Sequence, residues 1–136
     1  MVTVHFPVPP EQAFDYLVDP ANRPQWQASL RAVEDVEGEV GPGQRWVDVT
    51  VPGLRPQMGT TRYERPRLWT EAGTWRGISA ELTLHFRAAG AGCEVSVETR
   101  FEATGAWRAV LPIVRASAPL AARTDMRAAA KELARR

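Results

Sequence analysis

Two carboxylates and two donors stand in the strand-like middle of the chain: Asp48 in QRWVDV, Glu71 in LWTEAG, and Arg62 and Tyr63 in TTRYE. A carboxylate can remove a proton from carbon while a cation or phenol holds the oxygen on which charge develops. Asp48 or Glu71 could fill the first role and Arg62 or Tyr63 the second. The same four side chains also read as ion pairs across neighbouring strands at the surface, where such pairs contribute little. Other chemistries lack their residues. Cys93 is the only cysteine and cannot close an internal disulfide, and His5 and His85 have no cysteine partners at zinc-ligand spacing. There is no Ser-His-Asp order, and the glycines of VGPG and GAG read as turns rather than as a phosphate loop. Neither a metal nor a cofactor is expected.

Tryptophan is the other unusual ingredient, with five in 136 residues. Each offers a broad apolar face and one N–H donor, which suits planar ligands. Trp69, Glu71, Gly73 and Trp75 share one phase of a strand, and Met58, Thr60 and Arg62 share one phase of the strand before it. Facing inward, Trp69, Glu71 and Trp75 would line a ligand site with flat walls and one carboxylate. Facing outward, they would mark an interface.

The elements that position these residues follow from periodicity and punctuation. Val2, Val4 and Phe6 alternate with Thr3 and His5, which predicts a first strand over about residues 2–7. Pro9 and Pro10 suit a helix entry, Phe14, Leu17 and Val18 fall on one helical face, and Pro20 ends the helix near Val18 or Asp19. Pro24 soon interrupts a second short helix ahead of Trp26. Between about residues 29 and 104, runs separated by VGPG, PG, ERPR, RG and AAGAG predict six more strands. In residues 80–88 Leu84 and Phe86 take the apolar phase and His85 the polar one. In residues 93–103 Val95, Val97 and Phe101 are apolar, which places Phe101 in the core. This alternation belongs to an antiparallel sheet with one covered face. After Gly105 a helical pattern runs to Arg136, with a kink or restart expected at Pro119 and Ser117 as its possible cap.

Composition bounds the rest. A chain with 44% hydrophobic and 24% charged residues fits one globular domain over residues 1–136. No apolar run approaches the roughly 20 residues of a bilayer span, so no stable membrane insertion is expected. The start MVTVHF does not read as a secretory signal, so a cytoplasmic location is the default. Residues 105–136 hold seven Arg or Lys against Asp125 and Glu132. Ala-rich spacing separates those charges, which predicts a solvated helix face and no nucleic-acid partner.

FPVPPEQAFDYLVDPANRPQW resembles the opening of the polyketide cyclase/dehydrase branch of the START-like, or SRPBCC, superfamily. VGPGQRWVDV resembles that branch's G-x-G-x-R-[WF] turn and third strand, YERPRL its Y-x-P-P-R-x-L corner, and MRAAAKELARR its final helix. The likeness covers essentially the whole chain, and its specificity lies in the order and spacing of motifs that are individually short. Pro112 and Pro119 depart from the pattern in the closing helix. The resemblance implies an α+β helix-grip fold: a seven-stranded curved antiparallel sheet wrapped around a long C-terminal helix, with a short helix pair between strands 1 and 2. That pair would plug one end of the sheet with Phe14, Leu17 and Trp26.

The resemblance also implies an apolar cavity between sheet and closing helix. Its register turns Trp46, Asp48 and Thr50 inward, whereas packing alone favours Val47, Val49 and Val51 inside. Both phases stay open. Candidate ligand-binding residues are Trp46, Asp48, Met58, Trp69, Glu71, Trp75, Leu84, Phe86, Phe101 and Val114. Three functions follow: a binder of a small hydrophobic ligand, aromatic, polyketide-like or lipid; a cyclase, aromatase or dehydratase using Asp48, Glu71, Arg62 or Tyr63; and an interaction module with a filled core. A monomer or a homodimer fits each.

Overall fold

A computed structural model describes residues 1–136. Strand β1 (Val2–Phe6) is followed by helix α1 (Pro10–Leu17), a single 3-10 turn (Pro20–Asn22) and helix α2 (Arg23–Trp26). Six strands come next: β2 (Leu30–Glu37), β3 (Arg45–Thr50), β4 (Gln57–Glu64), β5 (Leu68–Trp75), β6 (Ile78–Ala89) and β7 (Gly92–Ala103). A 3-10 segment (Gly105–Val110) leads into helix α3 (Leu111–Ala134). All seven strands form one antiparallel sheet in the order β1-β7-β6-β5-β4-β3-β2. Helix α3 lies against β1, β7 and α2, the helix-grip arrangement expected from the sequence.

Prolines set the helix boundaries at the start of the chain. Pro10 opens α1, where a missing N–H costs nothing, and Asp19 caps the 3-10 turn by accepting from the Ala21 amide at 3.0 Å. Ala13, Phe14 and Leu17 point into the sheet and are fully buried. Phe14 meets Tyr63 edge-on at 5.2 Å and Phe86 at 5.1 Å, so α1 covers the ends of β4 and β6. Burying a Leu or Phe side chain stabilises by roughly 1.5–3 kcal/mol, and Phe6, Leu84 and Val95 extend the same core. Cys93 lies within it, its thiol pushed up to about 11 chiefly by burial, as suits a packing residue.

Three expectations are corrected. Helix α3 runs through Pro119 without a restart. The amide bond that Pro119 removes would end on Arg115, an exposed residue on the solvated flank, while Met126, Ala129 and Leu133 anchor the following turns in the core. The Ser117 hydroxyl donates back to the Val114 carbonyl at 3.3 Å instead of starting a new helix. On β4, a bulge between Thr60 and Arg62 inverts the phase, so Thr60 is buried while Arg62 faces solvent. Phe101 is half-buried rather than core, because the sheet and α3 diverge at that end and leave space over it.

Candidate functional site

Helix α2 is only four residues long, yet it places one cation inside the protein. Arg23, 3% exposed, is the first residue of α2, and the turn before it aims its side chain under the sheet's concave face. Its guanidinium donates to both oxygens of Glu71 on β5, at 2.6 Å from Nη1 and 3.1 Å from Nη2. Nε and Nη2 donate to Gln27 Oε1 at 2.9 and 2.6 Å. The rings of Trp26 and Trp46 flank the cation at 5.3 and 5.9 Å from Cζ. A planar, delocalised guanidinium suits this paired and stacked setting, which an ammonium would not fill.

A second carboxylate stands behind the first. Asp48 on β3 lies 3.8 Å from Arg23 Nη2 and accepts the Trp46 indole N–H at 3.0 Å. Burial pushes its pKa up to about 6; Arg23 opposes the rise, the nearby Glu71 charge adds to it, and the Trp46 bond opposes it. Burial also works against the charge on Arg23, but Glu71 and Asp48 outweigh it and hold that pKa above its ordinary value. Asp125 on α3 completes the group. One of its oxygens accepts the Ala28 amide at 3.3 Å, and burial raises its carboxyl despite that bond and Arg23.

This polar group closes one end of a cavity of about 260 Å³ between the sheet and α3. Ten of its seventeen lining residues are hydrophobic, including Leu82, Val97, Phe101 and Val114. The rows of the sheet explain the layout. Glu71 pairs across β5–β6 with Leu82, which pairs across β6–β7 with Thr99, and Phe101 stands two residues further along β7. On α3, Val114 and Asp125 are eleven positions apart, about 16 Å at the helical rise. The cavity therefore has an apolar end at Phe101 and Val114 and a charged end at Arg23, Glu71 and Asp125. No group of three or more His, Cys, Asp or Glu is arranged to hold a metal ion.

Of the residues singled out from the sequence, Trp69, Glu71, Phe101 and Val114 line this cavity. Trp69 donates its indole N–H to Thr60 Oγ1 at 3.2 Å. Trp46 and Asp48 face inward, as the resemblance implied and against the packing argument for the valines, but they support Arg23 from behind rather than form a wall. Of the valines expected inside on that packing argument, Val49 is buried, whereas Val51 is 62% exposed. Met58 lies over Gly73, where any larger residue would meet its sulfur. Leu84 and Phe86 belong to the core beneath α1 rather than to the cavity. Trp75 packs edge-on against Trp107 at 5.3 Å, where the chain enters α3.

The suggested catalytic donors do not reach the carboxylates. Arg62 pairs with Glu64 at the surface, displaced by the bulge, and Tyr63 turns toward Phe14. His85 takes the polar phase as expected and lies 3.2 Å from Glu98. Sequence reasoning missed Arg23 and Asp125. Asp125 left a readable signal, since Val114, Ala118, Ala121 and Asp125 recur at helical spacing along one face. Arg23 left none, because an arginine between two prolines reads as solvent-exposed.

Comparison with known proteins places this geometry among relatives. Residues 1–136 match the family described as polyketide cyclase / dehydrase and lipid transport. No curated protein matches the sequence. Among solved structures, the chain is similar to TTHA0849 from Thermus thermophilus, at 15% identity and a TM-score of 0.78, over 96% of this chain and 92% of that one. It is similar to truncated norcoclaurine synthase from Thalictrum flavum, at 16% identity and 0.71, over 96% and 89%. Ara h 8.0201 gives 17% and 0.70, over 98% and 95%. These structures share the fold.

Proposed function

Since the chain belongs to the polyketide cyclase / dehydrase and lipid transport family, we propose that it binds a small hydrophobic ligand, aromatic or polyketide-like, between the sheet and α3. The observation that carries this reading is the cavity of about 260 Å³, apolar over most of its wall and polar at one end. Ligand sites are commonly of this kind, with a few placed polar groups fixing orientation. An interaction module with a filled core would bind no such ligand. The test is a thermal-shift and tryptophan-fluorescence titration with mono- and bicyclic aromatics. A ligand that binds only the folded state stabilises it by about 2.7 kcal/mol at a hundredfold excess over its Kd. Absence of any shift across that set would refute the reading.

A second reading, a cyclase or dehydratase, draws on one observation. Asp125 sits in the cavity wall with its carboxyl raised above the ordinary carboxylate value by burial, the direction that favours a carboxylate as a proton acceptor. Asp125 would take the proton next to a ligand carbonyl, a role first considered for Asp48 or Glu71. Turnover of a polyketide-like substrate that Asp125→Asn abolishes while binding persists is the expected result under this reading.

A further inference from the structure

The charged end of the cavity is unbalanced in sign. Arg23 is the one cation there, and it faces Glu71 first, Asp48 second and Asp125 third. Its capacity is nearly used up. A guanidinium has five N–H donors, and four of Arg23's are committed, two to Glu71 and two to Gln27. An anionic ligand group would have to displace Glu71, which would then lie buried without a partner. Asp125 presents the opposite opportunity. Only its Oδ1 accepts a hydrogen bond from the protein, a long one from Ala28, and Oδ2 has no protein partner although the residue borders the cavity.

Resting on the binding reading above, we propose that the cavity selects its ligand by the sign of the polar end: an apolar body carrying an amine is preferred, the same body carrying an alcohol is accepted less well, and the same body carrying a carboxylate is rejected. The apolar body lies along Leu82, Val97 and Phe101 toward Val114, and the head group reaches Asp125 beside the Arg23–Glu71 pair. An ammonium donates to Asp125 and offsets the excess of carboxylates. A hydroxyl donates one hydrogen bond without offsetting charge. A carboxylate meets Asp125 and Glu71 with no free cation to receive it, and like charges brought together beside the buried Arg23–Glu71 pair lower affinity by about a hundredfold or more.

The experiment uses three probes with one skeleton, 2-naphthylmethylamine, 2-naphthalenemethanol and 2-naphthoate, titrated calorimetrically into the full chain at pH 7.5. The expected order of affinity is amine, alcohol, carboxylate, with at least about a hundredfold between first and last. Equal affinities, or a tighter carboxylate, would overturn the selection while leaving the cavity reading intact. Failure of all three to bind would overturn the cavity reading and this proposal with it. Asp125→Asn keeps the shape and the acceptor for Ala28, and it should reduce the amine-to-carboxylate ratio by about tenfold while leaving the alcohol nearly unchanged. Glu39→Gln, at an exposed acid in the connection between β2 and β3, should leave that ratio as it was. A ratio that responds equally to both variants would assign the preference to overall charge and refute the site.

Discussion

Arg23 and Glu71 are 48 residues apart in the chain and joined by two hydrogen bonds of 2.6 and 3.1 Å, both side chains almost completely buried. This pair ties α2, and with it the plug of the cavity, to the middle of the sheet. Its energetics are asymmetric. Replacing a whole buried ion pair by apolar groups is often neutral or stabilising, whereas removing one partner strands the other.

Arg23→Ala should therefore destabilise by about 3–5 kcal/mol, because Glu71 and Asp48 lose their cation. Arg23→Met with Glu71→Leu should recover most of that loss. Urea unfolding of both variants checks the prediction. Equal instability of the single and double variants would show that the pair does more than satisfy its own charges.

Asp48 should govern part of the pH dependence of stability. Its folded carboxyl is raised from 3.8 to about 6. Between those values the folded protein holds a proton that the unfolded chain has released, so stability falls as pH rises through this window and levels off above it. Ionisation of such a group costs the fold on the order of 3 kcal/mol. Asp48→Asn should be more stable than the parent at pH 8, and the difference should vanish toward pH 4. Denaturation at a series of pH values measures the difference, and a variant less stable at pH 8 would show that the Asp48 carboxylate stabilises the fold.

Leu84 and Phe101 should separate core from cavity wall. Leu84 is fully buried, so Leu84→Ala should cost about 2–5 kcal/mol. Phe101 already borders empty space, so Phe101→Ala should cost less, about 1 kcal/mol. Its effect should appear instead in ligand affinity. A Phe101→Ala loss above about 3 kcal/mol would place that ring in the core.

Val114→Trp should close the cavity. A bulky side chain entering an existing void avoids the strain of about 1–3 kcal/mol that overpacking imposes on a filled core. The variant should keep a melting temperature close to the parent's and lose the ligand-induced shift. A melting temperature that collapses without ligand would mean that the space over Phe101 is already filled.

The architecture was legible in the sequence because it rests on local rules. Alternation in residues 80–103 gave β6 and β7, prolines at 9, 10, 20 and 24 bounded the short helices, and turn residues separated seven strands in the right number. Where local rules competed with packing, they failed. Pro119 reads as a helix breaker, yet it sits within α3 on a solvated flank. The Thr60–Arg62 bulge could not be foreseen, and one extra residue was enough to send Arg62 to the surface and Tyr63 to Phe14.

The site itself was half legible. Trp69 and Glu71 share a strand phase, which left open whether they face a ligand site or an interface. The partner of Glu71 came from elsewhere. Arg23 reaches Glu71 only because the antiparallel sheet curls until its concave face meets α2, and Asp125 joins them only because α3 crosses that face in one unbroken piece. The sequence determined which faces are apolar, since periodicity is a local property of the chain. The tertiary structure alone decided which charges share one end of the cavity, because charge pairing depends on distances between segments that periodicity does not encode.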